Sequence, residues 1–416
     1  MVKMKLLTLL LMAVFACGCA EKGCTDPEAL NYKKSAERDD ESCQYGDKYI
    51  EQKKSLIRNH AALASALYTD ALLLSNDLKT KVDTFVNNPS DDGLSEVKLA
   101  WRNAYFAYLQ CDGLRFSRGP IDDDRELSRI LGQWPINPSL IDYTTGETGG
   151  LISDTTSLPV ISAEAIEALN QGVNKNQTTI GFHSIEYLLW GQDDEDVSLF
   201  TTGNRPFSDF DKNDSTTTNA KRRGEYLSAA AALLVNHLGV VVSEWDSLKT
   251  KNYRKTFLDL EENIALKNIL TGLGTLTKSE FGIRALQEPV ASGSQEDEIS
   301  NYSDNTATDL AAMAYSIEII YRGTYTPQSG FEVKGKSIDD LITEANPELA
   351  EQVDKKLDEV IELVGAIPSP FDWQASQEFE FGEGPITDAA NALIELEGLL
   401  KEVAREFEIG IETDLP

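Results

Sequence analysis

From residue 48 onward the apolar positions recur at helical spacing. "NHAALASALYTDALLLSNDL" carries them at i, i+3, i+4 and i+7, the pattern of an amphipathic helix. "SEVKLAWRNAYFAYLQCDGLRF" repeats the pattern with many aromatics. A Gly/Thr/Ser-rich break, Thr144 to Pro159, is followed by the short helical stretch "AEAIEALNQG" and by the nearly continuous apolar run "GFHSIEYLLWGQD". Between Asp193 and Asn219 the periodicity fails and Asp, Ser, Thr, Asn, Gly and Pro dominate, which predicts a linker or long surface loop. Helical patterns resume in "AKRRGEYLSAAAALLVNHLGVVVSEWDSL", "LEENIALKNILTGLGTL", "NTATDLAAMAYSIEIIYRG", "LAEQVDKKLDEVIELVGAI" and "GPITDAANALIELEGLLKEVAREFEI". Alternating strand patterns are nearly absent. The chain therefore predicts an all-α fold of two helical bundles of about four helices each, 48–200 and 201–416.

The first residues follow a different logic. "MVKMK" and the apolar "LLTLLLMAVF", then small residues and cysteines in "ACGCA", read as a secretory signal, too short to span a bilayer. A cysteine at its end points to a lipoprotein signal over 1–19. Two registers compete: Ala16-Cys17-Gly18-Cys19, with lipid on Cys19, and Val14-Phe15-Ala16-Cys17, with lipid on Cys17. Cys19 is preferred because cleavage then removes Cys17, Cys24 can pair with Cys43, and only Cys111 is left over. No second long apolar stretch is evident, so the expected mature protein is anchored to a membrane through lipid only. Residues 20–47 form an acidic tether. Its pattern resembles a short cysteine-bounded unit repeated in secreted bacterial proteins, which implies a Cys24–Cys43 staple. Asp26, Asp39, Asp40 and Glu41 could there hold Ca²⁺, or simply form a solvated acidic tether.

Lys plus Arg number 38 against 69 Asp plus Glu, a formal net charge of -31. Such a surface repels nucleic acid and anionic lipid and favours cations. The candidate chemistry centres on His183, one of only three histidines. His183, Glu186 and Trp190 project from one helix face, and His and Glu at i, i+3 can both point at one metal ion. Gly181 would let another backbone approach closely. Taken alone, the pair is more often a hydrogen-bonded structural unit than a ligand set.

"GFHSIEYLLWGQD" resembles the GxHxxE signature and its continuation in the imelysin family, also called peptidase family M75. "AWRNAYFAYLQCDGLRF", "WPINPSLIDY", "TGLGTLTKSE" and "SGSQEDEISNYSDNT" resemble further blocks of that family in the same order. The resemblance covers roughly residues 50 to 325. It implies two helical bundles with a site between them. His183 and Glu186 would be the signature pair, Asp112 an early-helix acid where the family usually has Glu, and Asp142 the acid of the "LIDY" block. One imidazole with three carboxylates suits a divalent or trivalent metal ion, with iron favoured and zinc admitted. Arg115 would orient a carboxylate or pair with an acid at the surface. Ile299 and Asn301 stand where the family often has His and Cys. "SQEDE" reads as a solvated acidic turn, with lining of the cleft as the other reading, and Cys111 as a small buried hydrophobe.

The resemblance implies an exported, envelope-facing, iron-associated protein that takes a metal ion or a metal-linked small ligand, with a transport partner at the envelope. A metallopeptidase is the alternative, although the chain has no HExxH and no serine or cysteine triad. A structural module without a metal is the third reading.

Overall fold

The computed structural model describes residues 21–27, 29–44, 46–146, 149–170, 177–193, 196–214 and 217–415. The signal segment, with Cys17 and Cys19, lies outside the described residues. Contacts divide the chain into two compact units, 1–51 and 52–416.

In the first unit Cys24 and Cys43 are joined by a disulfide. Isolated bridges pair Lys22 with Arg38 and Cys24 with Tyr32. The Asn31 side chain donates to the Ser42 carbonyl and accepts from the Gln44 N–H, closing the loop from within. Asp39 and Asp40 accept the backbone N–H groups of Glu41 and Ser42 in tight turns. Of the two readings of these acids, a Ca²⁺-type gathering of three or more ligands is not seen among the described residues.

The second unit is helical. Its main helices are α1 (Ile50–Asn87), α2 (Asp91–Leu109), α3 (Ala163–Asn170), α4 (Phe182–Trp190), α5 (Ala220–Trp245), α6 (Glu262–Thr275), α7 (Thr306–Arg322), α8 (Pro347–Gly365), α9 (Phe371–Phe381) and α10 (Pro385–Glu406). Among the described residues the named strands are a two-residue antiparallel ribbon, Thr324–Tyr325 against Val333–Lys334. Local chemistry sets several ends. Ser90 accepts from Gly93 N–H to start α2, Asn346 caps α8 ahead of Pro347, and Gly323 at φ +67° stops α7.

Helical periodicity becomes burial: α1 buries Leu56, Leu63, Leu67, Leu78, Val82 and Phe85 on one face. Each such side chain contributes about 1.5–3 kcal/mol. One bundle packs α2 on α4, α4 on α5 and α5 on α3. The other packs α8, α10, α6 and the wide, π-type turns that continue α6 through Leu276–Gln287. Helix α7 lies against α8 and also against α2 and the turn after it. Helix α5, on the C-terminal side of the 200/201 division, thus packs on helices from its N-terminal side.

Helix α5 also corrects the expectation of no second long apolar stretch. Among the described residues it alone is long and apolar enough to cross a membrane, by length and composition only. It is a core helix here, burying Tyr226, Leu227, Leu234, Leu238 and Trp245 against its neighbours.

Candidate functional site

Helix α4 is nine residues long and every one of them is buried, so no face is left for water. Gly181 opens it at φ +96°, and a Cβ there would lie 2.3 Å from the Ile130 carbonyl oxygen. The close backbone approach expected at this glycine is therefore present. Trp101 packs edge-on against both His183 and Trp190, and its indole N–H donates to the Phe182 carbonyl at 2.9 Å.

A continuous chain of hydrogen bonds runs through the signature pair. Tyr105 Oη lies 2.8 Å from His183 Nε2, and His183 Nδ1 lies 2.7 Å from Glu186 Oε2. Ser303 donates to Glu186 Oε1 twice, from its N–H at 3.0 Å and from its hydroxyl at 2.7 Å. The tautomer that satisfies every atom places the proton on Nδ1, facing the carboxylate, and lets Nε2 accept from the phenol. Burial raises the Tyr105 phenol well above its ordinary range, and Asp309, Asp112 and Glu186 add to the effect. The phenol thus stays a donor, and three carboxylates stand within electrostatic reach of it.

Asp112 occupies the turn after α2 and is 1% exposed. Neither of its oxygens has a hydrogen-bond partner, and its one ion pair is a long 3.6 Å contact to Arg115. Burial pushes its carboxyl up to about 7 despite that guanidinium. Arg115 is better matched to Glu280, at 3.1 Å, which Arg284 also holds at 2.9 Å. Burial pushes Glu280 upward, but the two guanidiniums outweigh it and hold its carboxyl below the ordinary value. Arg115 therefore links Asp112 to the π-type turns.

Asp142 sits elsewhere. Arg205 Nη1 reaches its Oδ2 at 2.9 Å and Arg223 Nε at 2.5 Å, while Arg223 Nη2 reaches Oδ1 at 3.2 Å. All three side chains are 1% exposed. Two buried guanidiniums on one carboxylate make a charge-assisted clamp. It joins the "LIDY" segment to α5 and to the chain beyond α4. The four residues expected to form one ligand set are thus not gathered together. His183 and Glu186 are joined, Asp112 lies within the field of Tyr105, and Asp142 is neutralised by arginines.

The acidic turn is divided: Glu296 is exposed and lines the cleft near the end of α4 together with Asp297, while its last residue is buried. Glu298 is 2% exposed. Asp309 accepts from Ser300 Oγ at 2.6 Å and from Asn305 Nδ2 at 2.7 Å, yet burial still drives its carboxyl up to about 8. Among the described residues, Glu298, Asp304 and Asp372 bring ligand atoms within 4.8 Å of one another. Arg102 lies over the Trp190 ring and donates to the Ser303 carbonyl. A cleft of about 430 Å³ opens near the end of α4, lined by residues including Asn137, Gln192, Asp193 and Tyr302. His183 and Glu186 are not among its lining residues. Cys111 is buried, and its thiol faces the Ala107 carbonyl.

Tyr105, Ser303, Arg205, Arg223 and the acids of 298–309 were missed as site residues. Their partners are distant in sequence, and only Asp304 of "SDNT", just ahead of an apolar helix, offered a signal.

The family model for imelysin, Peptidase_M75, matches residues 64–400. No curated protein matches the chain. Among solved structures, an iron-regulated protein A precursor from Parabacteroides distasonis superposes with a TM-score of 0.65 at 19% identity, covering 86% of this chain and 95% of its own. An imelysin-like protein from Psychrobacter arcticum superposes with a TM-score of 0.60 at 14% identity, covering 87% of this chain and 98% of its own.

Proposed function

Since this chain belongs to the imelysin family, we propose that it is an iron-related, exported lipoprotein that binds a metal ion at the buried seam around His183 and Glu186. The observation that carries this reading is Asp112, a fully buried carboxylate that has no close hydrogen bond among the described residues and only the guanidinium of Arg115, at 3.6 Å and shared with Glu280, to balance it, in the field of the Tyr105 phenol that bonds His183. A buried carboxylate without donors is costly unless a proton or a cation supplies the missing positive charge.

His183 would take the ion through Nε2, which Tyr105 would yield, with Asp112 as the carboxylate on that side, while Glu186, bonded to Nδ1 and held by Ser303, would orient the imidazole. One imidazole with carboxylates suits iron, manganese or zinc, and the excess of oxygen favours the harder iron. The metal would supply a binding charge for itself as cargo or for a metal-linked small ligand. Asp142 would act as the clamp that orients α4 rather than as a ligand. The similar Parabacteroides protein is described as iron-regulated, which agrees with an iron-related role. The anchor would be lipid on Cys19, with Cys17 as the other register, and a transport partner at the envelope would take the cargo on.

Calorimetric titration with Fe²⁺ under anaerobic conditions tests this reading. The wild type should bind tightly, and His183→Ala and Asp112→Asn should each weaken binding at least tenfold. Equal affinity in all three proteins rejects the site. Metabolic labelling with a fatty acid tests the anchor: label should vanish in Cys19→Ala, and loss only in Cys17→Ala would assign the other register.

A further inference from the structure

Glu298, Asp304 and Asp372 come from three separate places in the fold. Glu298 follows the short turn Gln295–Asp297, Asp304 precedes α7, and Asp372 lies in the first turn of α9. Their carboxylate oxygens nevertheless fall within 4.8 Å of one another. Both Glu298 oxygens are buried without a hydrogen-bond partner, and so is Asp304 Oδ1. Among the described residues no lysine or arginine pairs with any of the three. Burial, then the charges of Asp372 and Asp304, push the Glu298 carboxyl well above its ordinary range, and the Thr306 hydroxyl does not offset them. Burial, then the charges of Asp372, Asp193 and Glu186, push Asp304 up to about 7 despite the guanidinium of Arg102.

Like charges that close, in a place with few donors, are stable together only when a cation or protons join them. The donor set is all oxygen, with no imidazole or thiolate, which selects a hard ion. Asp372 Oδ1 already accepts the Trp373 N–H, so this carboxylate is oriented before any ion arrives. We propose that Glu298, Asp304 and Asp372 form a second metal site, specific for a hard divalent cation of the Ca²⁺ or Mn²⁺ type. It ties the segment before α7 to α9. None of its ligands is His183 or Glu186, so it stands or falls apart from the iron reading.

Trp373, next in sequence to Asp372, is a built-in antenna for terbium, a hard-ion probe. The full mature chain, stripped with chelator, should show Tb³⁺ emission on tryptophan excitation, and Ca²⁺ or Mn²⁺ should displace it. Glu298→Gln should lose at least tenfold in Tb³⁺ affinity, while His183→Ala should keep it. Added Ca²⁺ or Mn²⁺ should raise the melting temperature of the wild type and leave that of Glu298→Gln unchanged. Without added ion, Glu298→Gln should melt no lower than the stripped wild type, because it removes a repulsion. Absence of a cation-dependent rise in the wild type, or Tb³⁺ binding unchanged in Glu298→Gln, overturns the proposal.

Discussion

His60, on α1, packs against the rings of Trp245 and Phe257. Burial lowers its pKa from 6.5 to about 4. Between those values the unfolded chain binds the proton and the folded chain does not, so stability falls as pH drops through that window. The full effect is at most roughly 3 kcal/mol. His60→Phe should flatten this part of the acid limb of melting temperature against pH, and an unchanged limb would assign it to other groups. Asp112 works in the opposite sense. Its carboxyl ionises near 3.8 in the ordinary case and at about 7 when folded. The folded state therefore holds the extra proton, and stability falls as pH rises through that interval, by at most roughly 4 kcal/mol. Asp112→Asn should raise the metal-free melting temperature at pH 8 and change it little at pH 4. An equal change at both would mean that the charge is compensated. The HxxE pair was legible because its partners lie one helical turn apart. The Asp142 clamp was not, since Arg205 and Arg223 are 63 and 81 residues away.

At the scale of elements, α4 is positioned by its glycine. Gly181→Ala would place a methyl 2.3 Å from the Ile130 carbonyl oxygen at a φ of +96°. Strain of order 1–3 kcal/mol or more is expected, so the melting temperature should fall and the α4 register should shift. Wild-type stability in this variant would show that the backbone there can relax freely. The role of Gly181 was readable from the sequence because a glycine opening a nearly all-apolar helix has few other uses. The helices themselves were readable from their 3.6-residue period. What period cannot give is packing. It did not place α5 against α3 and α4, and it did not distinguish the wide turns of Leu276–Gln287 from ordinary helix. It also left "SQEDE" as a polar turn, because burial of Glu298 depends on α9, some seventy residues later.

At the scale of the whole molecule, a net charge of -31 draws cations to the surface, and the interior repeats the theme. Asp112, Asp304 and Asp309 all have carboxyls pushed up by burial, along the route from α2 to α7. The family and the all-α class were legible from ordered sequence blocks and from periodicity. The distribution of the acids was not, because it depends on which polar segments fold back under the helices. The central claim is that this interior acidity, with His183 beside it, serves metal binding. The most direct test is elemental analysis of untagged protein purified from iron-replete cells, comparing wild type, His183→Ala and Asp112→Asn. Stoichiometric iron in the wild type, lost from both variants while Asp112→Asn keeps a cooperative melt, is the predicted result. Wild-type protein without bound iron, or variants that keep the wild-type content, would contradict the claim.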